Sequence, residues 1–180
     1  MQCLTKKVGG LAYLFKGALT REECANISAI AERKGRVDTT TEINRDALVH
    51  QRRTKFADYN LSERIYNKIK DSFEAHAKHS YVATDTMITY VVYQEGGACP
   101  LHRDSKVENN IGKREYITVI VYLNDFTGGR TYFIDARSGH KHYVSAGAGD
   151  IMVFHGTQLP HGCDAVIGTK RILIFGIETP

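Results

Sequence analysis

The hydrophobic pattern of the chain changes character near residue 86. In the first part, Leu11-Ala12-Tyr13-Leu14-Phe15 is an apolar run of strand length. Thr20-Arg21-Glu22-Glu23 then carries the signature of a helix start, with Thr20 as N-cap and Glu23 as its capping-box partner. Cys24, Ile27 and Ile30 fall on one face of that helix. Residues 37–55 are polar and irregular, which predicts a surface loop. A second helix is predicted from Leu61 to about His79, with Ser62 as its cap and Ile65, Ile69 and Phe73 recurring at a spacing of four.

Beyond residue 86 the segments are short and rich in β-branched and aromatic residues: Met87 to Tyr93, Tyr116 to Leu123, Arg130 to Ile134, His142 to Ser145, Asp150 to Phe154 and Lys170 to Ile177. Gly, Asn, Asp and Pro separate them. Short strands after a helical preface predict a mainly β fold with N-terminal helices, a double-sheet roll with the helices packed on one face. With no repeat, low-complexity segment or linker, residues 1–180 are expected to form one domain. Residues 1–86 would be its helical support region and 87–180 its β core.

Composition narrows this picture only a little. A chain of 180 residues with 42% hydrophobic and 24% charged residues is ordinary for a globular protein. That length suffices to bury roughly 70% of the unfolded surface without covalent staples. No apolar run is long enough to span a bilayer, and the first residues lack the apolar core of a secretory signal. The four cysteines, Cys3, Cys24, Cys99 and Cys163, form no CxxC pair, so reduced thiols and a cytoplasmic location are expected. The net charge of +4 comes in small clusters: Lys6-Lys7, Arg52-Arg53-Lys55, Lys113-Arg114 and Lys170-Arg171. These read as solvated surface before they read as a nucleic-acid footprint.

The chemistry concentrates in the C-terminal half. His102-Arg103-Asp104, followed by His161, supplies two imidazoles and one carboxylate. That is the ligand set of a facial triad, which holds Fe(II) on one face and leaves other positions open. The His-x-Asp spacing suits a strand end, where residues i and i+2 project to the same side. Gly96 and Gly97 lie just upstream to deliver the pair, and Pro160 and Gly162 frame His161. His155 competes as distal ligand, since it too follows an apolar strand. His140 and His142 alternate with polar residues in a hairpin pattern and read as solvated. If an α-keto acid chelates such a metal, its far carboxylate needs a buried cation and hydroxyl donors. Lys170 shares a strand face with Ile172 and Ile174, an unusual company for a lysine without an anionic partner; the alternative is a strand-edge lysine that blocks pairing. Thr118, Ile120 and Tyr122 share a face likewise, which makes Tyr122 and Thr118 candidate donors to the same carboxylate.

These residues and their neighbours resemble the prolyl 4-hydroxylase superfamily of 2-oxoglutarate- and Fe(II)-dependent dioxygenases. The matching segments are Tyr93 with His102-Arg103-Asp104, Tyr122-Leu123-Asn124-Asp125, and Gly128-Gly129-Arg130-Thr131-Tyr132-Phe133, which is similar to a GGxTxF element. Gly149-Asp150, His161 through Val166 and Gly168-Thr169-Lys170 complete the set, with Leu19 to Cys24 and Arg52-Arg53-Thr54 matching in style. The resemblance implies a double-stranded β-helix (jelly-roll) fold, with iron on His102, Asp104 and His161. It implies that 2-oxoglutarate is held by Lys170, Tyr122, Tyr93 and Thr118, with ascorbate as reductant. It also implies hydroxylation of an unactivated C–H bond, with oxidative decarboxylation of 2-oxoglutarate to succinate. Ala165 and Glu115 depart from a Pro and an Arg common in the family. The substrate expected from the resemblance is a prolyl residue of a peptide or protein. Alternatives are another or a free amino acid, a nucleic-acid base undergoing demethylation, or no reaction at all in a jelly-roll binding module. The base-demethylating branch normally carries a second Arg on its last strand, where this chain has Gly176. Tyr93 reads equally as co-substrate contact or core aromatic, Arg130 as a mouth residue or an exposed hairpin charge, and Cys99 and Cys163 as small apolar fillers. Specificity is expected from the loops at 37–55 and 104–114.

Overall fold

The computed structural model describes residues 1–4, 8–35, 50–77, 80–81, 86–104, 116–135 and 138–178, and the backbone of 41–44. In chain order the elements are β1 (Gln2–Cys3), β2 (Ala12–Phe15), α1 (Arg21–Lys34), β3 (Thr41–Asn44), β4 (Gln51–Ala57), α2 (Tyr59–Asn67), α3 (Lys70–Ala77) and β5 (Met87–Tyr93). They continue with β6 (Cys99–His102), β7 (Tyr116–Tyr122), β8 (Thr127–Gly128), β9 (Thr131–Ile134), β10 (Lys141–Tyr143), β11 (Ile151–Phe154), β12 (His161–Cys163), β13 (Val166–Ile167) and β14 (Lys170–Glu178).

The strands assemble into a major sheet of order β1-β2-β11-β7-β14-β5-β4-β3, a minor sheet of order β10-β9-β12-β6, and the small pair β13-β8. The described ladders are antiparallel. Alternation along β14 gives the major sheet two different faces. Leu173, Phe175 and Ile177 point into a cluster with Cys24, Ile27 and Ala31 of α1, Leu61, Ile65 and Tyr66 of α2, and Phe73 of α3. Ile172 points the other way, into a second cluster with Ile120, Tyr122, Phe133 and Cys163 that fills the space between the two sheets. The fold is the expected mainly β roll with helices on one face, and the first 86 residues add four strands to its major sheet.

The capping box of α1 forms as predicted: Glu23 N donates to Thr20 Oγ1 (3.1 Å) and Thr20 N donates to Glu23 Oε2 (2.8 Å). Three expectations fail. The segment 37–55 contains β3 and most of β4, paired with each other and, through β4, with β5. Its charged residues concealed a strand because one face of β4 borders a cavity rather than the packed core. The helix expected from Leu61 to His79 is two helices, α2 and α3, separated by a tight turn in which Lys68 N donates to Ile65 O and Ile69 N to Tyr66 O. Ile69 and Phe73 remain buried across that turn. The cap of α2 is Asp58, whose Oδ1 accepts from Leu61 N (3.0 Å), and not Ser62, which is buried and donates to Tyr59 O. His79 and most of the 104–114 loop, with the Lys6-Lys7 and Lys113-Arg114 clusters and Glu115, lie outside the described residues.

Candidate metal and co-substrate site

Strands β6 and β12 are adjacent and antiparallel in the minor sheet, with His161 opposite His102 in register. Cross-strand partners project to the same side, so the two imidazoles meet, with ring centroids 4.3 Å apart. Each ring is oriented by its own backbone: His102 Nδ1 donates to Pro100 O (2.9 Å) and His161 Nδ1 to Leu159 O (2.8 Å). Those bonds engage each Nδ1 and leave each Nε2 turned inward, where it donates to Asp104 when protonated and would offer its lone pair to a metal. Each Nε2 faces Asp104 Oδ1, at 3.5 Å from His102 and 3.6 Å from His161.

Asp104 is itself held from two sides. Its backbone N donates to Gly156 O (3.0 Å), tying the end of β6 to the segment after β11. Its Oδ2 accepts from Thr118 Oγ1 of β7 (2.5 Å). Gly156 is required at this approach, since a Cβ there would collide with Asp104 Oδ2 and Thr118 Oγ1. Burial alone would raise the Asp104 pKa, but hydrogen bonds from His102, His161 and Thr118 outweigh it and hold the carboxyl far below the usual range. His102 is pushed up to about 10, chiefly by its bond to Asp104 and then by the neighbouring Cys99.

The ligand atoms of His102, Asp104 and His161 lie within 4.8 Å of one another, a group that could hold a metal ion. Metal–ligand bonds of about 2 Å at right angles put ligand atoms about 3 Å apart, close to the 3.5 and 3.6 Å that separate Asp104 Oδ1 from the two imidazoles. His155 lies outside this group. Neutral imidazole and ionised carboxylate are the donors that suit Fe(II).

The triad opens on a cavity of about 380 Å³ between the two sheets, lined by Tyr93, Cys99, Thr118, Thr131, Cys163 and Lys170 among others. Lys170 starts β14 and is 1% exposed. Its Nζ donates to Gly129 O (2.7 Å) and lies 5.5, 5.6 and 4.9 Å from the rings of Tyr93, Tyr122 and Phe126. Among the described residues no carboxylate pairs with it. Burial lowers its pKa. A buried ammonium with one backbone acceptor and a ring of aromatic faces has the chemistry to pair with an anion. Gly129 makes the approach possible: its φ is +52°, and a Cβ there would strike Val166.

The hydroxyls around this ammonium are arranged differently from the sequence expectation. Tyr122 is fully buried and its hydroxyl bonds Thr131 Oγ1 (2.8 Å), so Thr131 is the member of that pair that lines the cavity. Thr131 was legible in the Gly128–Phe133 element but drew no role there. Thr118 gives its hydroxyl to Asp104 and sits at the triad end of the cavity. Tyr93 is both core aromatic and cavity wall. Arg130 sits over the Tyr143 ring (4.0 Å) and near Asp164, away from the cavity lining. His140 pairs with His142 on the β9–β10 hairpin, where both are at least partly solvated. Arg53 and Lys55 of β4 line the cavity as well, which the polar reading of their segment concealed.

A family model described as the 2OG-Fe(II) oxygenase superfamily matches residues 88–177, from β5 to β14. The chain belongs to the 2OG-Fe(II) oxygenase superfamily. Membership implies Fe(II) and 2-oxoglutarate, and the donor set and the unpaired ammonium fit those two groups. Solved structures extend the likeness of fold over nearly the whole chain. A Pseudomonas putida prolyl-4-hydroxylase superposes with a TM-score of 0.66 at 14% identity, covering 98% of this chain and 95% of its own. A viral collagen prolyl hydroxylase from Paramecium bursaria Chlorella virus-1, in complex with 2-oxoglutarate, gives 0.61 at 17% identity over 94% and 96%. HygX from Streptomyces hygroscopicus, with nickel and 2-oxoglutarate bound, gives 0.64 at 14% identity over 98% and 85%. No curated protein matches the chain by sequence.

Proposed function

We propose that this 2OG-Fe(II) oxygenase is a dioxygenase that hydroxylates prolyl residues of a peptide or protein, with release of succinate and CO2. His102 Nε2, Asp104 Oδ1 and His161 Nε2 hold Fe(II), and Lys170 anchors the far carboxylate of 2-oxoglutarate with Thr131, Tyr122 and Tyr93 around it. The observation that carries this reading is the buried Lys170 ammonium, without a carboxylate partner among the described residues, in the cavity that the triad faces. Bound Fe(II) with 2-oxoglutarate and O2 supplies the oxidising chemistry; the residues do the rest. Lys170 orients the co-substrate by charge. Thr118 bonds Asp104 Oδ2 and so leaves Oδ1 turned to the imidazoles, which do most to keep the carboxyl ionised. The aromatic and aliphatic walls, Tyr93, Ile120, Ile172 and Ile174, exclude water from the reacting end. Ascorbate would serve as external reductant.

The prolyl substrate rests on the likeness of fold to the two prolyl hydroxylases, together with the sequence resemblance. Base demethylation fits less well. Gly176 stands where that branch carries its second Arg, and the Tyr116 ring occupies the space a side chain there would need. No helix among the described residues is long and apolar enough to cross a membrane.

The test is succinate release from 2-oxoglutarate with Fe(II) and ascorbate, with and without a pool of proline-rich peptides. Peptide-stimulated succinate with one oxygen added to a prolyl residue is expected. Iron-dependent succinate indifferent to every peptide would overturn the prolyl substrate and leave the oxygenase.

A further inference from the structure

The cavity contains a second cationic element that the triad and Lys170 do not use. Arg53 and Lys55 sit two residues apart on β4, so they share a face, and both line the cavity. Register places Arg53 beside Val91 of β5, which in turn faces Ile172 of β14, and Lys55 beside Thr89 and then Ile174. Lys170 lies on a neighbouring row, opposite Tyr93. Arg53 is therefore two strands across from β14, about 10 Å at the usual strand spacing. One carboxylate cannot easily be shared between the Lys170 row and both β4 cations at that separation.

Arg53 is also unpaired where pairing is expected. Its Nε is buried without a hydrogen-bond partner, and among the described residues it forms no ion pair. Its neighbour Arg52, on the opposite face, pairs through Nη2 with both carboxylate oxygens of Glu32 at 2.6 and 2.7 Å, so the strand gives its other guanidinium an anionic partner. A guanidinium presents a planar fork that matches a carboxylate, and a buried donor left open keeps its desolvation cost uncompensated. Such a cost is borne where a ligand supplies the missing acceptor.

We propose that Arg53, assisted by Lys55, is a substrate-binding subsite that takes a carboxylate of the molecule being hydroxylated. This rests on the dioxygenase reading above and narrows its substrate class. At about 380 Å³ the cavity stands near the small end of ligand pockets (roughly 300–1,000 Å³) and must also hold 2-oxoglutarate. The remaining space suits an amino-acid-sized group rather than a nucleotide. The carboxylate can come from two sources: the free α-carboxylate of an amino acid or chain end, or an acidic side chain next to the reacting residue of a peptide.

The experiment measures binding by calorimetry to the full chain loaded with redox-inert Zn(II) and 2-oxoglutarate. The probes are the free L-amino acids, each against its amide, proline-containing hexapeptides flanked by Glu against the same peptides flanked by Gln, and one single-stranded oligonucleotide. At least one carboxylate probe should bind tenfold or more tighter than its neutral partner, and the probe set in which this occurs identifies the source. Arg53→Gln should erase that preference, Arg53→Lys should restore part of it, and Lys55→Gln should reduce it by a few fold. Equal binding of every neutral partner would overturn the proposal, as would a preference that survives Arg53→Gln or oligonucleotide binding that Arg53→Gln abolishes. β3 places Glu42 opposite Arg53 in register; if Arg53 only supports that pairing, Arg53→Gln will lower the melting temperature without changing the preference, which also overturns it. Loss of 2-oxoglutarate binding in Arg53→Gln would assign Arg53 to the co-substrate instead. Failure of the unaltered protein to bind 2-oxoglutarate at all would instead refute the dioxygenase reading.

Discussion

The two faces of the major sheet are built from the same strands to opposite ends. On β14, Leu173, Phe175 and Ile177 close against the three helices in a cluster with no charged member. Lys170, Ile172 and Ile174 of the same strand border a cavity that also receives Asp104, His161 and Arg53. The helix-covered face is organised to minimise free energy, because every apolar group removed from water contributes about 25 cal/mol per Å². The cavity face gives up part of that gain. It buries an ammonium without a carboxylate partner among the described residues, a guanidinium nitrogen without a hydrogen-bond partner and the His161 imidazole beside the Asp104 carboxylate, each of which is better solvated in the unfolded chain. Stability is thus concentrated on one side of a single sheet and binding on the other.

Substitutions on the two faces should separate these roles. The largest effect on folding is expected from Phe175→Ala, which opens a hole in the helix-covered cluster and should cost about 3–5 kcal/mol, read by denaturant unfolding; a cost below 1 kcal/mol would mean that this face is not the main source of stability. Lys170→Met should do the reverse. It removes an uncompensated buried charge, so the metal-free protein should be unchanged or more stable, on the order of 1 kcal/mol, while 2-oxoglutarate binding weakens by 2 kcal/mol or more, a range usual for losing one member of a buried charge pair. Calorimetry and unfolding on the same sample check both halves.

The pH dependence of that lysine follows from its burial. The unfolded side chain titrates near 10.5, and the folded one below it. Between those two values the unfolded chain binds the extra proton, so stability rises with pH across that window. With Lys170 in its proposed role, binding of 2-oxoglutarate should weaken over the same window as the ammonium is lost. A 2-oxoglutarate affinity flat up to pH 10.5 would contradict the burial argument. Lys170→Arg, which stays charged, should flatten the profile.

A smaller effect is expected from Thr118→Val, which keeps the shape but removes the donor to Asp104 Oδ2. Metal affinity should fall about 10–100-fold, the range typical of partners that orient metal ligands, with little change in 2-oxoglutarate affinity once metal is saturating. A rise in the 2-oxoglutarate requirement alone would return Thr118 to the co-substrate role the sequence suggested. The smallest is Thr20→Ala, which breaks the capping box of α1 far from the cavity and should cost about 1 kcal/mol with unaltered ligand binding.

The same contrast explains what the sequence made legible. Alternation on β14 and β7 separated Lys170 from Leu173 and Thr118 from Val119 correctly, because Leu173, Phe175 and Ile177 on one strand and Ile117, Val119 and Val121 on the other form apolar rows. The capping box at Thr20 was readable because its signal is local. β4 was hidden because Arg53 and Lys55 face a cavity, where the apolar half of the alternation is replaced by charge. β6 and β12 were hidden because Pro100 and Gly162 lower their strand propensity, yet they bring the two imidazoles together. The break between α2 and α3 was missed because Ile65, Ile69 and Phe73 keep helical spacing across it. The partner of Thr118 depends on where Asp104 comes to rest, which spacing within β7 does not report.

The most direct test is anaerobic titration of Fe(II) and 2-oxoglutarate into the protein, following the charge-transfer absorbance that appears only when both share one metal. The unaltered chain should develop the band at one equivalent of each. Asp104→Ala should show none, with its fold intact by circular dichroism, and Lys170→Met should show it only at greatly raised 2-oxoglutarate. A full band in Asp104→Ala, or none in the unaltered chain, would contradict the assignment of this cavity.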